Sequence, residues 1–490
     1  MSHWIDRRRA GVLLHISSLP GPFDQGVLGE EAFHFVDGLV EGGFSVWQIL
    51  PLGPTHSHGS PYESLSAFAC NPDFLDLRQL VAQGWLADAS CQAVMGKRSS
   101  HETARTEAAA AFWAQTESDE SLAKAVQHFR AEQADWLADY ALFVALKRAH
   151  TNQPWWQWPS KLMRRYPEAL HAAQQAHKAC IQQTEFEQFV FAQQWQTVKA
   201  HAESRGVLIL GDLPIYVAHD SADVWSHQHL FTIDDSGLCF EVAGVPPDYF
   251  SATGQRWGNP LYHWEKLKED NYHWWVKRVQ VQLTRMHMMR IDHFRGLEAY
   301  WAIPGESQDG RIGEWRPAPG AELLEALQSN LGRLPLVAED LGLITPEVHA
   351  LRERFGLPGM KILQFAFGGG ADNLYLPHHH EPDSVVYTGT HDNDTTFGWF
   401  QSQPEHCRNH VAEYLGMPLD DMPWPLIRSV LASTARLAVV PMQDLLSLGS
   451  DARLNTPGTL DGNWNWRMPR AELPLEIRAK THAMNKLYNR

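Results

Sequence analysis

The sequence predicts a (β/α)₈ barrel carrying inserted, largely helical subdomains. Three observations point there. Eight short β-rich runs are apolar throughout, each ends in a polar or charged residue and a turn, and most are separated by amphipathic stretches of helical period. Strands that are apolar on both faces and alternate with helices imply a parallel sheet covered on both sides. Eight such strands suggest closure into a barrel.

The runs, in chain order, are GVLLHISSLPG (11–21), SVWQILPLGP (45–54), GVLILGDLPI (206–215), MMRIDHFRG (288–296), PLVAEDLG (335–342), MKILQFAFG (360–368), SVVYTGTHD (384–392) and LAVVPMQD (437–444). Residues 76–200 break the alternation. That segment is rich in Ala, Gln, Glu and His and has long helical periodicity, as in DWLADYALFVALKRAH (135–150), so it reads as a helical insertion after the second strand. The connection 213–287 is aromatic and loop-rich and reads as a second insertion, after the third strand, with residues 244–262 as its most distinctive loop. The whole chain, 1–490, is expected to form one barrel unit.

Composition narrows the class. The 490 residues are 44% hydrophobic and 20% charged, as in an ordinary globular protein. No stretch approaches the roughly 18 apolar residues of a membrane helix, and the N-terminal segment lacks a long apolar region and a small-residue cleavage site, so no signal peptide is expected. Five scattered cysteines without CxxC spacing argue against a disulfide framework or zinc site and favour the cytoplasm. The net charge of −16 speaks against a polyanionic partner. Neither a GxxxxGK[ST] loop nor a GxGxxG fingerprint is present, so phosphate and nucleotide binding are not expected. His378-His379-His380 reads as a solvated loop, and no metal or other cofactor is predicted. Several of the 20 tryptophans sit in polar, Gly/Pro/Asn-rich stretches, where exposed ring faces would suit sugars.

In a (β/α)₈ barrel, functional groups come from the C-terminal ends of the strands. Four runs deliver an acid there: Asp212, Asp292, Glu339 and Asp392. Any one acid alone reads best as a cap of the following helix, and Asp340 beside Glu339 keeps that reading. Four acids at corresponding positions on one rim do not. Arg290 lies two positions before Asp292, on the same face of its strand, and is expected to hold that carboxylate ionised by depressing its pKa. Glu339, after an apolar run, is expected to have a raised pKa. His391 can donate to a hydroxyl-bearing substrate; His293 has a weaker claim, and a satisfied structural histidine reads at least as well there. One ionised and one protonated carboxyl are what glycoside cleavage requires, with a third able to stabilise the cationic transition state. Their separation, which decides retention or inversion, is not readable from sequence.

These residues also carry a resemblance. RIDHFRG (290–296), AEDLG (338–342) and TGTHDNDT (388–395) are similar to the catalytic regions of the α-amylase clan. Together with GDLPIYVAHDSADVW (211–225), GVPPDYFSATGQRWGNPLY (244–262), GSPYESLSAFACNP (59–72), GLPGMKILQF (356–365) and the close at 459–467, the chain resembles glycoside hydrolase family 77, the 4-α-glucanotransferases or amylomaltases. The likeness covers essentially the whole chain. It implies a barrel with inserted subdomains and a double-displacement mechanism, with Asp292 as nucleophile, Glu339 as general acid/base and Asp392 as transition-state stabiliser. It further implies substrate binding by Arg290, His391, Asp212 and Tyr62, by Asp248, Tyr249, Phe250, Gln255, Trp257 and Asn259 of an arching loop, and by Asn463 and Asn465. One departure is Gly368-Gly369-Gly370, where many relatives carry an acidic residue, which bears on the outer donor subsites.

A glycosyl-enzyme is resolved by whichever hydroxyl is activated. Transfer therefore demands good binding of a sugar acceptor and poor placement of water. The 244–262 loop has suitable materials in Pro246-Pro247, the aromatics and Gly254 and Gly258. The leading expectation is α-1,4-glucan transfer between maltooligosaccharides, with glucose or a maltodextrin as acceptor, by a monomer or small homo-oligomer. The alternatives are an α-amylase-like hydrolase and, disfavoured by the intact acids, an inactive glucan-binding protein.

Overall fold

The computed structural model describes residues 7–97, 101–247, 251–459, 461–470 and 472–490. Its strands, in chain order, are β1 (Arg9–Leu13), β2 (Val46–Gln48), β3 (Leu208–Pro214), β4 (Glu241–Val245), β5 (Gln255–Pro260), β6 (Met288–Asp292), β7 (Ala299–Pro304), β8 (Glu314–Pro317), β9 (Leu336–Ala338), β10 (Gly359–Ile362), β11 (Ser384–Tyr387) and β12 (Leu437–Pro441). Eight of them form one parallel sheet in the order β10-β11-β12-β1-β2-β3-β6-β9, and each overlaps one of the eight apolar runs, β1 and β10 starting one or two residues before theirs.

The side chains explain why those runs read as apolar throughout. Along β12, Leu437 and Val439 join a cluster inside the barrel with Leu13, Leu210, Met288, Val337 and Val385, while Ala438 and Val440 face outward to the helices. Both faces are dry, so both parities must be apolar. Gly11 shows how tightly the interior is filled, since a Cβ there would come within 2.9 Å of the Val46 Cβ.

The seam between β9 and β10 is closed by few contacts. The Ala338 N–H donates to the Pro358 carbonyl at 2.9 Å. The Met360 N–H donates to Asp340 Oδ1 at 2.7 Å. Asp340 therefore does not cap the next helix, as expected from sequence. That helix, Pro346–Arg354, has Thr345 at its N-cap and no side-chain cap bond. The carboxylate goes instead to the neighbouring strand, where an unpaired N–H would be costly.

Between β2 and β3 the described chain is helical, from Leu77–Ala82 to the 27-residue helix Lys178–Ser204. That long helix buries Phe186, Phe189, Val190, Phe191 and Trp195 and is tied to the rest by Arg105, which donates to Glu187 and to Asp73, each at 2.9 Å.

The segment read as an aromatic loop contains more regular structure than its composition suggests. β4 and β5 form an antiparallel hairpin that joins β7 and β8, in the order β5-β4-β7-β8. This small sheet knits the connection after β3 to the connection after β6 above the C-terminal rim of the barrel. Gly254 is required in the hairpin: its φ is +66°, and a Cβ would sit 2.5 Å from the Val245 carbonyl oxygen.

If Asp340 closes the seam, Asp340→Ala strands the buried Met360 N–H and removes about 1–3 kcal/mol. A lower thermal midpoint with an unchanged far-UV circular dichroism spectrum at 25 °C is expected; an unaltered midpoint would refute the role.

Candidate active site

At the centre of the rim lies Arg290, placed inside the barrel mouth by its position in β6. Its Nε donates to Asp212 Oδ1 at 3.0 Å and one terminal nitrogen to Asp212 Oδ2 at 2.6 Å, a two-pronged pair between β6 and β3. The same nitrogen reaches Asp292 Oδ1 at 2.9 Å and the Tyr62 hydroxyl at 3.0 Å. Tyr62 in turn donates to Asp212 Oδ2 at 2.6 Å. Asp212 is 0% exposed in its side chain and Arg290 3%, whereas Asp292 is 31% exposed. Asp292 alone of the three faces open space. Asp212 and Arg290 lie beneath it, and both oxygens of Asp212 accept hydrogen bonds, from Arg290 and Tyr62.

Arg290 does not leave Asp292 with a depressed pKa. Burial is the larger effect and raises it; Arg290 pulls it down, Asp212 and Asp392 push it up, His391 pulls it down, and the balance lies near 6. The sequence expectation failed because burial, together with the negative charges of Asp212 and Asp392, outweighs Arg290. Glu339, just beyond β9, is pushed up to about 8 by burial and by the negative charge of Asp292, against Arg290 and the two backbone donors it holds. Those donors are His293 N–H at 2.7 Å and Leu341 N–H at 2.9 Å. They fix both carboxyl oxygens in position.

Asp392, on the turn after β11, behaves differently. Burial alone would raise it, but the charge and hydrogen bond of His391, with Asn455 and Arg290, hold it well below the usual carboxylate range. His391 Nε2 lies 3.2 Å from Asp392 Oδ2, and Asn455 Nδ2 donates to Oδ1 at 2.6 Å. Arg453 anchors the turn by donating to the Asp392 carbonyl at 2.6 Å. The His391 ring stacks on Tyr62 with centroids 5.2 Å apart and 12° between planes.

A cavity of about 480 Å³ opens onto Asp292, Glu339 and Asp392 together. A larger cleft of about 1030 Å³ lies among the helices and holds none of them. Of the residues expected to bind substrate, Tyr62, Gln255, Trp257, Asn259 and Asn463 line the smaller cavity. Gln255 Oε1 accepts from Trp257 Nε1 at 3.1 Å, and Asn259 ties β5 to the Val217 carbonyl at 2.8 Å. Asn463 spends its amide on the 456–459 turn, accepting from Thr456 N–H at 2.8 Å and donating to the Thr459 carbonyl at 2.9 Å. Asn465 is exposed and does not line the cavity. Asp248, Tyr249 and Phe250 lie outside the described residues.

His293 lines the cavity, its Nε2 has no partner among the described residues, and burial lowers its pKa to about 4, so the ring is neutral. Its ring meets Trp257 edge-on at 4.8 Å. His380 is buried, not solvated, and bonds Ser433 Oγ at 2.8 Å and the Tyr375 carbonyl at 2.9 Å. Sequence reasoning missed Asn455, Arg453, His58, Glu63 and Trp464. Only tryptophan in a polar stretch offered any signal.

Comparison with known proteins is consistent along the whole chain. The sequence profile described as 4-alpha-glucanotransferase matches residues 14–473. The 4-alpha-glucanotransferase of Thermus thermophilus is 47% identical over 491 residues, covering 97% of this chain and 98% of that one. The enzyme of that name from Synechocystis is 46% identical, covering 99% of each chain. Among solved structures, the amylomaltase from Streptococcus agalactiae in complex with acarbose superposes with a TM-score of 0.95 at 35% identity, covering 99% of this chain and 100% of that one. The amylomaltase from Corynebacterium glutamicum, at 17% identity and a TM-score of 0.78 over 99% of this chain and 76% of that one, shares the fold.

The buried ion pair makes a stability prediction. Arg290→Met leaves the Asp212 carboxylate with only the Tyr62 hydroxyl and should cost about 3–5 kcal/mol. Tyr62→Phe should cost about 1 kcal/mol. Denaturation of the two variants in parallel reads the difference, and equal midpoints would refute the buried pair.

Proposed function

The chain belongs to the 4-alpha-glucanotransferase family, with the activity of that family, and we propose that its cavity moves α-1,4-glucan segments by double displacement on Asp292 and Glu339. The observation that carries this reading is the pairing of roles in one cavity: Glu339 keeps its proton to about 8 beside Asp292, which loses its own near 6.

In the first step an Asp292 oxygen attacks the anomeric carbon of the donor. The bond from that carbon to the bridging oxygen breaks, and the Glu339 proton passes to that oxygen, which leaves as the 4-hydroxyl of the released chain. In the second step the 4-hydroxyl of glucose or another glucan gives its proton to Glu339. Its oxygen attacks the same carbon and displaces the Asp292 carboxylate, so configuration is retained. Asp392 stays ionised throughout and opposes the positive charge that develops on the sugar. Asp212 acts at one remove, by holding Arg290. Trp257, stiffened by Gln255 and His293, offers an apolar face to a sugar ring. The unpaired Nε2 of His293 is available to a hydroxyl. Maltodextrins derived from glycogen or starch are suitable substrates in size and chemistry. The five unpaired cysteines suit the reducing cytoplasm.

Incubation of pure protein with maltotriose should give a ladder of longer oligomers together with glucose. Glucose and maltose without elongation would sink the transferase reading. Asp292→Asn should abolish transfer, by a factor of about 10³ or more, while still binding maltooligosaccharides.

The pH profile has a defined sign. Asp292 must be ionised, so kcat/KM should rise through its pKa of about 6; Glu339 must be protonated, so kcat/KM should fall through about 8. A bell with its plateau between those values is expected. Removal of the alkaline limb by Glu339→Gln, beyond a general loss of rate, would be expected, and a limb that persists would assign it to another group.

A further inference from the structure

Two of the residues that line the cavity, His58 and Glu63, are unused by the mechanism. They lie on the loop after β2, on either side of Tyr62 and its neighbours. His58 Nδ1 accepts the Ser60 N–H at 3.2 Å, so Nε2 carries the proton and meets Glu63 Oε2 at 2.6 Å. That leaves Glu63 Oε1 without a donor among the described residues, on a side chain that is 47% exposed and borders the cavity.

A loop staple is the simplest explanation of such a pair, but this loop is already closed by its backbone. Gly59 N–H donates to the His56 carbonyl at 2.9 Å, Glu63 N–H to Ser60 at 3.3 Å and Leu65 N–H to Pro54 at 2.8 Å, and Thr55 bridges Ser64. The carboxylate is therefore not needed to hold the turn. Its position is nonetheless fixed relative to the reaction centre, because the adjacent Tyr62 is bonded to both Asp212 and Arg290.

Across from it stands Trp464. A Cβ added at Gly59 would meet the Trp464 Cβ at 3.9 Å, so the loop after β2 and the C-terminal segment touch here. Trp464 is half-buried, lines the same cavity and is held at a φ of +65°, with its N–H on the Leu454 carbonyl at 2.7 Å. A bulky residue in the left-handed region is strained, and such strain persists where the surroundings impose it. Its ring is packed against Tyr62 and His391, each with centroids 6.0 Å away, so it is a preordered surface.

Resting on the transferase reading, we propose that Trp464 and the His58–Glu63 pair form a further glucosyl subsite. One sugar unit of the bound glucan lies against the Trp464 ring, and one of its hydroxyls donates to Glu63 Oε1. An aromatic face for the C–H surface and an ionised acceptor for a hydroxyl are the two contacts a pyranose ring offers. His58 is a positioning residue, aiming the carboxylate by donating to its other oxygen.

Steady-state transfer should be measured on maltooligosaccharides from maltotriose to maltoheptaose, with thermal midpoints checked for every variant. Glu63→Ala should raise KM for maltoheptaose roughly tenfold, one charge-assisted hydrogen bond, with a change in kcat below about twofold. Glu63→Gln, which keeps an acceptor oxygen, should recover most of that loss, and His58→Ala should raise KM by a smaller factor. An unchanged KM at every chain length in Glu63→Ala would overturn the subsite. A fall in kcat with KM intact would also overturn it, since it would mean that Glu63 acts through Tyr62 and Arg290. Should Glu63→Ala not fold, Glu63→Met, which also removes the acceptor but keeps the side-chain length, carries the same two outcomes. Absence of elongation by the wild-type protein would instead sink the transferase reading on which the subsite rests.

Discussion

A guanidinium cannot shed its charge at any pH a protein survives, and it presents five N–H donors in a planar fork. Burying one at the mouth of a barrel obliges the structure to supply acceptors around it. Arg290 meets that demand with Asp212 on the neighbouring strand, Asp292 at the end of its own strand and the Tyr62 hydroxyl from the loop after β2. Three separate segments are thereby set in register around one cation. The Tyr62 ring then supports His391, His391 borders Asp392, and Asn455 and Arg453 fasten Asp392 to the C-terminal segment. Remove the guanidinium and both Asp292 and Tyr62 lose the group that sets their positions.

The same cation also shows why three carboxyls on one rim need not behave alike. Asp292 shares Arg290 with Asp212 and stays near 6; Glu339 receives backbone donors but faces Asp292 and rises to about 8; Asp392 lies beside His391, accepts from Asn455 and falls. Burial raises all three, and the charges and hydrogen-bond donors that reach each one set their order. The roles proposed for them, acid, nucleophile and permanent anion, are thus three outcomes of one local competition for charge.

What was legible in the sequence follows from where each feature gets its stability. The eight barrel strands could be read because a strand dry on both faces leaves an uninterrupted apolar run, as in LAVVP of β12. The strand-end acids could be read because they interrupt such runs. The small sheet could not: β5 is QRWGNP and β8 is EWRP, short, polar and partly exposed, and they are strands only because β4 and β7 pair with them across the chain. Asn455 stands 63 positions from Asp392 in an irregular segment, and nothing local marks it as a partner. The pKa of Asp292 was misread for a related reason. The Arg290–Asp292 spacing is local and visible, while the burial that outweighs it, and the charges of Asp212 and Asp392 that add to it, come from the packed barrel mouth.

Under the proposed double displacement, the small sheet also bears on why a sugar, and not water, would resolve the intermediate. β6 ends in Asp292 and the chain continues into β7, which is hydrogen-bonded to β4, which is hydrogen-bonded to β5 with Gln255, Trp257 and Asn259. The aromatic wall is therefore joined to the nucleophile strand through paired backbone, not through free loops. A wall so attached keeps its distance from the anomeric carbon during the lifetime of the intermediate. A glucan held against it presents its 4-hydroxyl at high effective concentration and in one orientation, whereas a water molecule gains nothing from an apolar ring. Selection of the acceptor is then a consequence of the rigidity of the wall, and that rigidity comes from two barrel connections sharing one sheet.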